Sequence, residues 1–208
     1  GTVLYNEGFI LITASGSVGS LANTASAVAL NSETDTYVGT VATAHRTDAA
    51  GGEVVGDSKG QYISLSDDGS TLAIAAPGQD GNGSDSGQVQ IYDWNGSAWV
   101  QRGDDIYGEA VNNNCCRLSL TNDGNTVALG APSNDGKGSD GGHVRVFDWN
   151  DSAWTQRGTG EDMKGIGGNQ RAGSSVSMSN NGNTVVFGSE GYGSNIRVFD
   201  WDGSVWMQ

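Results

Sequence analysis

The residues best placed for chemistry are oxygen donors set among glycines. Asp80, Asn82 and Asp85 lie in one Asp-Gly-Asn-Gly-Ser-Asp stretch, and Asp135 and Asp140 bracket a second, Asp-Gly-Lys-Gly-Ser-Asp. Oxygen side chains alternating along a glycine-flexed loop can wrap a hard cation, so calcium is the one cofactor that these residues admit. Against it, Lys137 stands where the second loop needs a donor, and the third such stretch shrinks to Ser189-Glu190-Gly191. Solvated turn acids are the plainer reading. Asn82, Asn95 and Asn150 each open an Asn-x-Ser sequon for N-linked glycan, although Asn-Gly-Ser is equally the make-up of a hairpin turn. Cys115 and Cys116 are adjacent and are the only cysteines. They cannot build a zinc site alone; a vicinal disulfide, a bond between chains and two free thiols all remain open.

Catalytic patterns are thin. Gly136-x-Gly138-x-x-Gly141 matches a dinucleotide fingerprint by letters, but a strand rather than a helix follows, so no helix N-terminus would meet a phosphate. Gly56-Asp57-Ser58-Lys59-Gly60 matches a nucleophile elbow, with His45 and His143 as the only histidine bases and neither in a pairing motif. No enzyme is expected.

The elements that must position these residues come from a repeat. Residues 57–208 hold three copies of one unit, marked by Gly69, Gly124 and Gly182 and recurring at about 55 residues. All six tryptophans fall in two columns, Trp94/Trp149/Trp201 and Trp99/Trp154/Trp206. Each unit reads as four strands, A to D. A and B meet at a turn such as Asp67-Asp68-Gly69. B carries large residues on one face and alanines on the other, as in Leu72-Ala73-Ile74-Ala75-Ala76, which marks a strand buried between closely packed sheets. C and D are joined at Asn95-Gly96, Asn150-Asp151 and Asp202-Gly203. A two-residue type I′ turn there would oppose Tyr92 to Trp99, Phe147 to Trp154 and Phe199 to Trp206. The fold expected is all-β: tandem four-stranded antiparallel blades of β-propeller type, open, partial, or completed by further repeats or neighbouring chains. The segments are 1–56, a non-repeated β segment and linker, then repeats at 57–111, 112–166 and 167–208.

Within 1–56, Gly1 to Thr13 reads as two short strands about an Asn-Glu-Gly turn. Ser20 to Leu30 reads as a short helix or strand, Thr36 to Ala44 as a strand, and Asp48 to Asp57 as linker. A separate β module, or a strand donated to a neighbour, is expected of this segment.

Charge narrows the partners. With 24 acids against 10 bases the net charge is −14, which repels phosphate backbones and anionic lipid, so nucleic acid is not an expected partner. No apolar run suits a bilayer-spanning helix, and no membrane insertion is expected. Glycine at 34 positions with three lysines describes a turn-rich, extracellular type of chain.

The repeats resemble the FG-GAP repeats that build the propeller of integrin α subunits. The likeness rests on Ala75-Ala76-Pro77 and Gly130-Ala131-Pro132 at the ends of strand B, and on the Gly-x-Val-x-Ile/Val-Tyr/Phe run of strand C. It implies a propeller blade, and a role in adhesion, on a cell surface or as an accessory domain. The chain departs from that family between strands A and B, where a short turn with at most two acids replaces the calcium loop. Arg102-Gly103-Asp104 is the tripeptide integrins recognise, and occurs once. Residues 1–13 faintly resemble strand pairs in structural proteins of marine tailed phages, which implies a virion surface or fibre protein.

The leading expectation is an extracellular structural or adhesive protein whose copies join into an oligomer or fibril through blade edges and N-terminal strands. The alternative is a carbohydrate-binding module for surface glycans, stacking sugars on Tyr92, Trp94, Trp99, Trp149 and Trp154.

Overall fold

The computed structural model describes residues 2–6, 9–13, 58–158 and 163–208. The helix or strand expected at 20–30, the strand at 36–44 and the linker at 48–57 lie outside them. By backbone contacts the chain divides into residues 1–53 with 94–99, and residues 54–93 with 100–208.

In the first unit, β1 (Thr2–Asn6) and β2 (Phe9–Thr13) form an antiparallel hairpin with Asn6 opposite Phe9. Glu7 and Gly8 of the turn expected there lie outside the described residues.

The repeat builds the second unit, apart from residues 94–99 of blade 1. Blade 1 is the sheet β3 (Tyr62–Leu65), β4 (Thr71–Ala76), β5 (Gln88–Trp94) and β6 (Trp99–Gln101), with β7 (Ile106–Tyr107) pairing on β5. Blade 2 follows as β8 (Arg117–Leu120), β9 (Thr126–Ala131), β10 (His143–Trp149) and β11 (Trp154–Gln156), with β12 (Met163–Lys164) on β10. Blade 3 is β13 (Ala172–Met178), β14 (Thr184–Ser189), β15 (Ile196–Trp201) and β16 (Trp206–Met207). The fold is all-β, with tandem four-stranded antiparallel blades in an open arrangement, as in part of a β-propeller. Among the described residues no helix is long and apolar enough to cross a membrane.

The blades stack by the alternation of their strands. Ala73, Ala75, Val89 and Ile91 of blade 1 pack on Leu120, Val127, Leu129 and Phe147 of blade 2. Ala128, Val144 and Val146, on the other face of blade 2, pack on Val185, Phe187 and Phe199 of blade 3. Alanine at Ala73, Ala75 and Ala128 lets the sheets approach, as the strand B pattern implies. One polar bond recurs at each junction: Ser64 Oγ accepts the Leu120 N–H at 3.2 Å, and Ser119 Oγ accepts the Met178 N–H at 3.1 Å.

The hairpin between strands C and D corrects the expected register. Trp149 opposes Trp154, Phe147 opposes Gln156, and Trp201 opposes Trp206, so each loop has four residues rather than two. In blade 1 the Asn95 N–H likewise donates to the Ala98 carbonyl at 3.1 Å. Positive φ occurs at the second loop position only, Gly96 (96°), Asp151 (70°) and Gly203 (103°), and not at Asn95, Asn150 or Asp202, so the turns are not type I′. The cause is side-chain capping. Asn95 Oδ1 accepts the Ser97 N–H, the Ala98 N–H and the Ser97 hydroxyl, each at 2.9 Å, and Asn150 does the same for Ser152 and Ala153. Those bonds hold open a wider loop than the backbone alone would choose.

Candidate functional site

The corrected register brings the tryptophan columns together as pairs. Trp94–Trp99, Trp149–Trp154 and Trp201–Trp206 have ring centroids 5.7, 5.5 and 5.3 Å apart, with planes tilted by 52–53°. Tyr92 is separate from these pairs: it is buried, and its hydroxyl donates to Gln90 Oε1 at 3.1 Å. Burial, with the nearby Asp105 charge, pushes the Tyr92 phenol up to about 12.

Each later pair is capped by an arginine of the preceding blade. The Arg102 guanidinium lies 5.0 Å from the Trp149 ring and 5.6 Å from Trp154. It also pairs with Asp93 at 3.4 Å and donates to the Gly124 carbonyl and to Asn125 Oδ1 at 3.1 and 2.5 Å. Trp154 Nε1 closes the circuit by donating to the Arg102 carbonyl at 2.9 Å. Arg157 repeats the device one blade on. It donates to both Asp148 oxygens at 2.5 and 2.7 Å and to the Gly182 carbonyl at 2.6 Å, 5.7 and 5.9 Å from the Trp201 and Trp206 rings. A planar guanidinium suits this double task, a fork for carboxylate and a face for indole. It takes up one approach to the rings that a sugar would need. The arginine of Arg102-Gly103-Asp104 is therefore engaged within the stack, and a Cβ on Gly103 (φ 73°) would lie 2.6 Å from Trp149.

These clamps were missed in the sequence, although Gln-Arg-Gly follows the second tryptophan in both Gln101-Arg102-Gly103 and Gln156-Arg157-Gly158. So was a threonine–aspartate pair present in every blade, Thr71–Asp93, Thr126–Asp148 and Thr184–Asp200, at 2.9, 2.8 and 2.7 Å.

The candidate cation loops use part of their oxygen internally. Asp80 Oδ1 accepts the Asp85 N–H and Asp135 Oδ1 accepts the Asp140 N–H, both at 2.9 Å, while Asn82 Nδ2 donates to the Gly108 carbonyl at 2.9 Å. Among the described residues no three His, Cys, Asp or Glu gather as a metal cluster. The sequon residues Asn82, Asn95 and Asn150 are all exposed. Cys115 and Cys116 are bonded to each other and wholly buried in the core between blades 1 and 2. Of the two histidines, His45 lies outside the described residues, and His143 is buried with Nδ1 3.8 Å from Glu109.

No family model and no curated protein matches the chain. Among solved structures it is similar to the β-propeller domain of the Trilobed protease from Pyrococcus furiosus, at 13% identity and TM-score 0.44 over 71% of this chain and 40% of that one. It is also similar to a putative 6-phosphogluconolactonase from Bacteroides fragilis (13% identity, TM-score 0.46, 70% and 36% of the chains). A third is TolB from Acinetobacter baumannii (12%, 0.42, 70% and 30%). The chain spans well under half the length of each, and likenesses this distant assign it no activity.

Proposed function

We propose that the protein is an extracellular structural repeat protein whose copies join by blade stacking. One observation carries this reading. The outward face of blade 3 has the same strand positions that blade 2 buries under blade 3. Val144 and Val146 of blade 2 are 0% and 1% exposed, whereas their counterparts Ile196 and Val198 are 76% and 46% exposed. Ser177, in the place of Ser64 and Ser119, is exposed as well. Covering one large aliphatic side chain stabilises by about 1.5–3 kcal/mol, so the face favours a sheet laid on it as blade 3 lies on blade 2.

The occupant is a second copy presenting its blade 1, whose Ile63 and Leu65 are 65% and 55% exposed at the positions of Leu118 and Leu120. Head-to-tail contact of this kind is heterologous and propagates into rings or filaments. N-terminal strands, adhesion to glycans and placement on a virion are finer readings of the same assembly. Light scattering across a concentration series tests it. Oligomers are expected that Val198→Asp converts to monomers of unchanged circular dichroism. A wild-type chain monomeric at every concentration, or oligomers indifferent to Val198→Asp, would overturn the proposal.

A further inference from the structure

Charged side chains in which the blades depart from their repeat gather at one end of the stack, where strands A begin and strands B end. Tyr62, Arg117 and Ser175 hold one place in strand A, opposite Ala75, Gly130 and Gly188. Pro77, Pro132 and Glu190 each follow the last residue of strand B. Asn114 and Arg171 both precede strand A with positive φ, 44° and 57°. Their N–H groups donate to the matching carbonyls of Asp85 and Asp140, at 2.9 and 2.8 Å. Blade 2 alone thus places a charge at the strand A position, and blade 3 has Arg171 and Glu190 where blade 2 has Asn114 and Pro132.

Arg117 is short of partners. Arg102, Arg145, Arg157 and Arg171 each meet a carboxylate, of Asp93, Glu109, Asp148 and Glu190 respectively. Arg117 meets none among the described residues. Its guanidinium lies over the Tyr62 ring at 5.0 Å, Nη1 donates to the Asn114 carbonyl over a long 3.4 Å, and Nε is buried without a hydrogen-bond partner. A half-buried guanidinium with one weak hydrogen bond leaves most of its desolvation uncompensated. Blade stacking does not require a charge at this place, since Tyr62 and Ser175 fill it in the other blades.

Arg117 lines a cavity of about 260 Å³ together with Arg171, Glu190, Asn114, Gln61 and Ser133. The side chains of Gln61 and Ser133 make no hydrogen bond to described residues. The Arg171–Glu190 pair, 3.1 Å apart and about half exposed, adds a donor and an acceptor to the lining. We infer that this cavity binds a small hydroxylated carboxylate, a sugar acid of one ring, with its carboxylate seated beside Arg117. A guanidinium takes a carboxylate by charge-assisted bonds along its planar fork. The neutral amides and the hydroxyl around it suit hydroxyl groups, and the volume suits one ring. A phosphate, in part doubly charged at neutral pH, would set its second charge against Glu190. The site goes beyond self-assembly and uses none of Ile63, Leu65, Ile196 and Val198, so the two readings fail separately.

Titration calorimetry at low salt tests it with D-glucuronate, its methyl glycoside, D-glucose, benzoate and inorganic phosphate. Glucuronate or the glycoside is expected to bind, more weakly as salt rises, and at least tenfold more tightly than the other three. Binding of the glycoside would identify the end of a glycan chain as the source, and binding of the free acid alone a free sugar acid. Arg117→Gln is expected to weaken binding at least tenfold. Glu190→Gln, at an exposed side chain, removes the opposing charge and is expected to tighten binding at least twofold. The inference is overturned if neither sugar acid binds, or if glucose, benzoate or phosphate binds as tightly. Binding untouched by a folded Arg117→Gln, or by Glu190→Gln where that variant does not fold, would overturn it equally.

Discussion

Asp202 occupies the loop position that Asn95 and Asn150 hold in the earlier blades. Its carboxylate accepts the Val205 and Ser204 N–H groups at 2.8 Å and the Ser204 hydroxyl at 2.9 Å. These bonds, the backbone ones foremost, hold the Asp202 carboxyl below its ordinary value. A carboxyl so depressed stabilises the fold above its unfolded value of about 3.9, and that contribution is lost as pH falls through the native value. Asparagine offers the same acceptor oxygen and does not titrate. Asp202→Asn is therefore expected to keep the melting temperature at pH 7 and to soften its decline below about pH 4. Asp68, lowered chiefly by its bond from the Ser70 N–H, will still drive part of that decline. Thermal melts from pH 7 to pH 2 are the check, and an identical acid limb in the variant would count against any role of the Asp202 charge. Asp151 makes the complementary case, because its φ of 70° is one that glycine adopts freely in the other two hairpins. Asp151→Gly is expected to stabilise by about 0.5–1 kcal/mol in denaturant unfolding.

Among the elements, the outer hairpin shows how much the sequence revealed and where it stopped. The tryptophan columns, the Gly69-type turns and the alanine-lined face of strand B were legible because each follows from one strand's own pattern. The hairpin register was not. Asn-Gly fits both a two-residue and a four-residue loop, and the deciding bond runs from the hydroxyls of Ser97, Ser152 and Ser204 to the first loop residue. Serine at that position in all three copies was the available signal, and after Asn95 and Asn150 it also reads as a sequon. The arginine clamp was invisible for a different reason: Arg157 joins its own Asp148 to the Gly182 carbonyl of another blade, and no single-strand pattern reports a contact between sheets. Arg157→Lys tests the clamp, since lysine keeps the charge but loses the forked pair and the planar face over Trp201. A loss of about 1–3 kcal/mol in denaturant unfolding is expected, with a redshift in tryptophan emission. A loss within experimental error would mean that the aromatic pairs hold the junction unaided.

At the scale of the molecule, stacking depends on how closely two backbones can approach, and two glycines at one repeat position separate the internal junction from the proposed external one. Gly130 of blade 2 faces blade 3, and a Cβ there would lie 2.2 Å from the Gly173 carbonyl oxygen and 2.8 Å from Val176. The first obstacle is backbone, so Gly130→Ala must push the sheets apart, at a cost of about 1–3 kcal/mol. Gly188 holds the same place in blade 3, opposite Ile196, and among the described residues the atoms near its would-be Cβ belong to the Ser175 side chain, Oγ at 2.6 Å and Cβ at 3.9 Å. That hydroxyl can rotate away, so Gly188→Ala should leave the melting temperature of the isolated chain within a degree or two of wild type. If a second copy docks on blade 3 as blade 3 docks on blade 2, the new methyl meets the incoming backbone. Gly188→Ala is then expected to weaken self-association at least tenfold in sedimentation velocity, in a chain otherwise as stable as the parent. Undiminished association in that variant would mean that copies meet by some other surface, whatever Val198→Asp does.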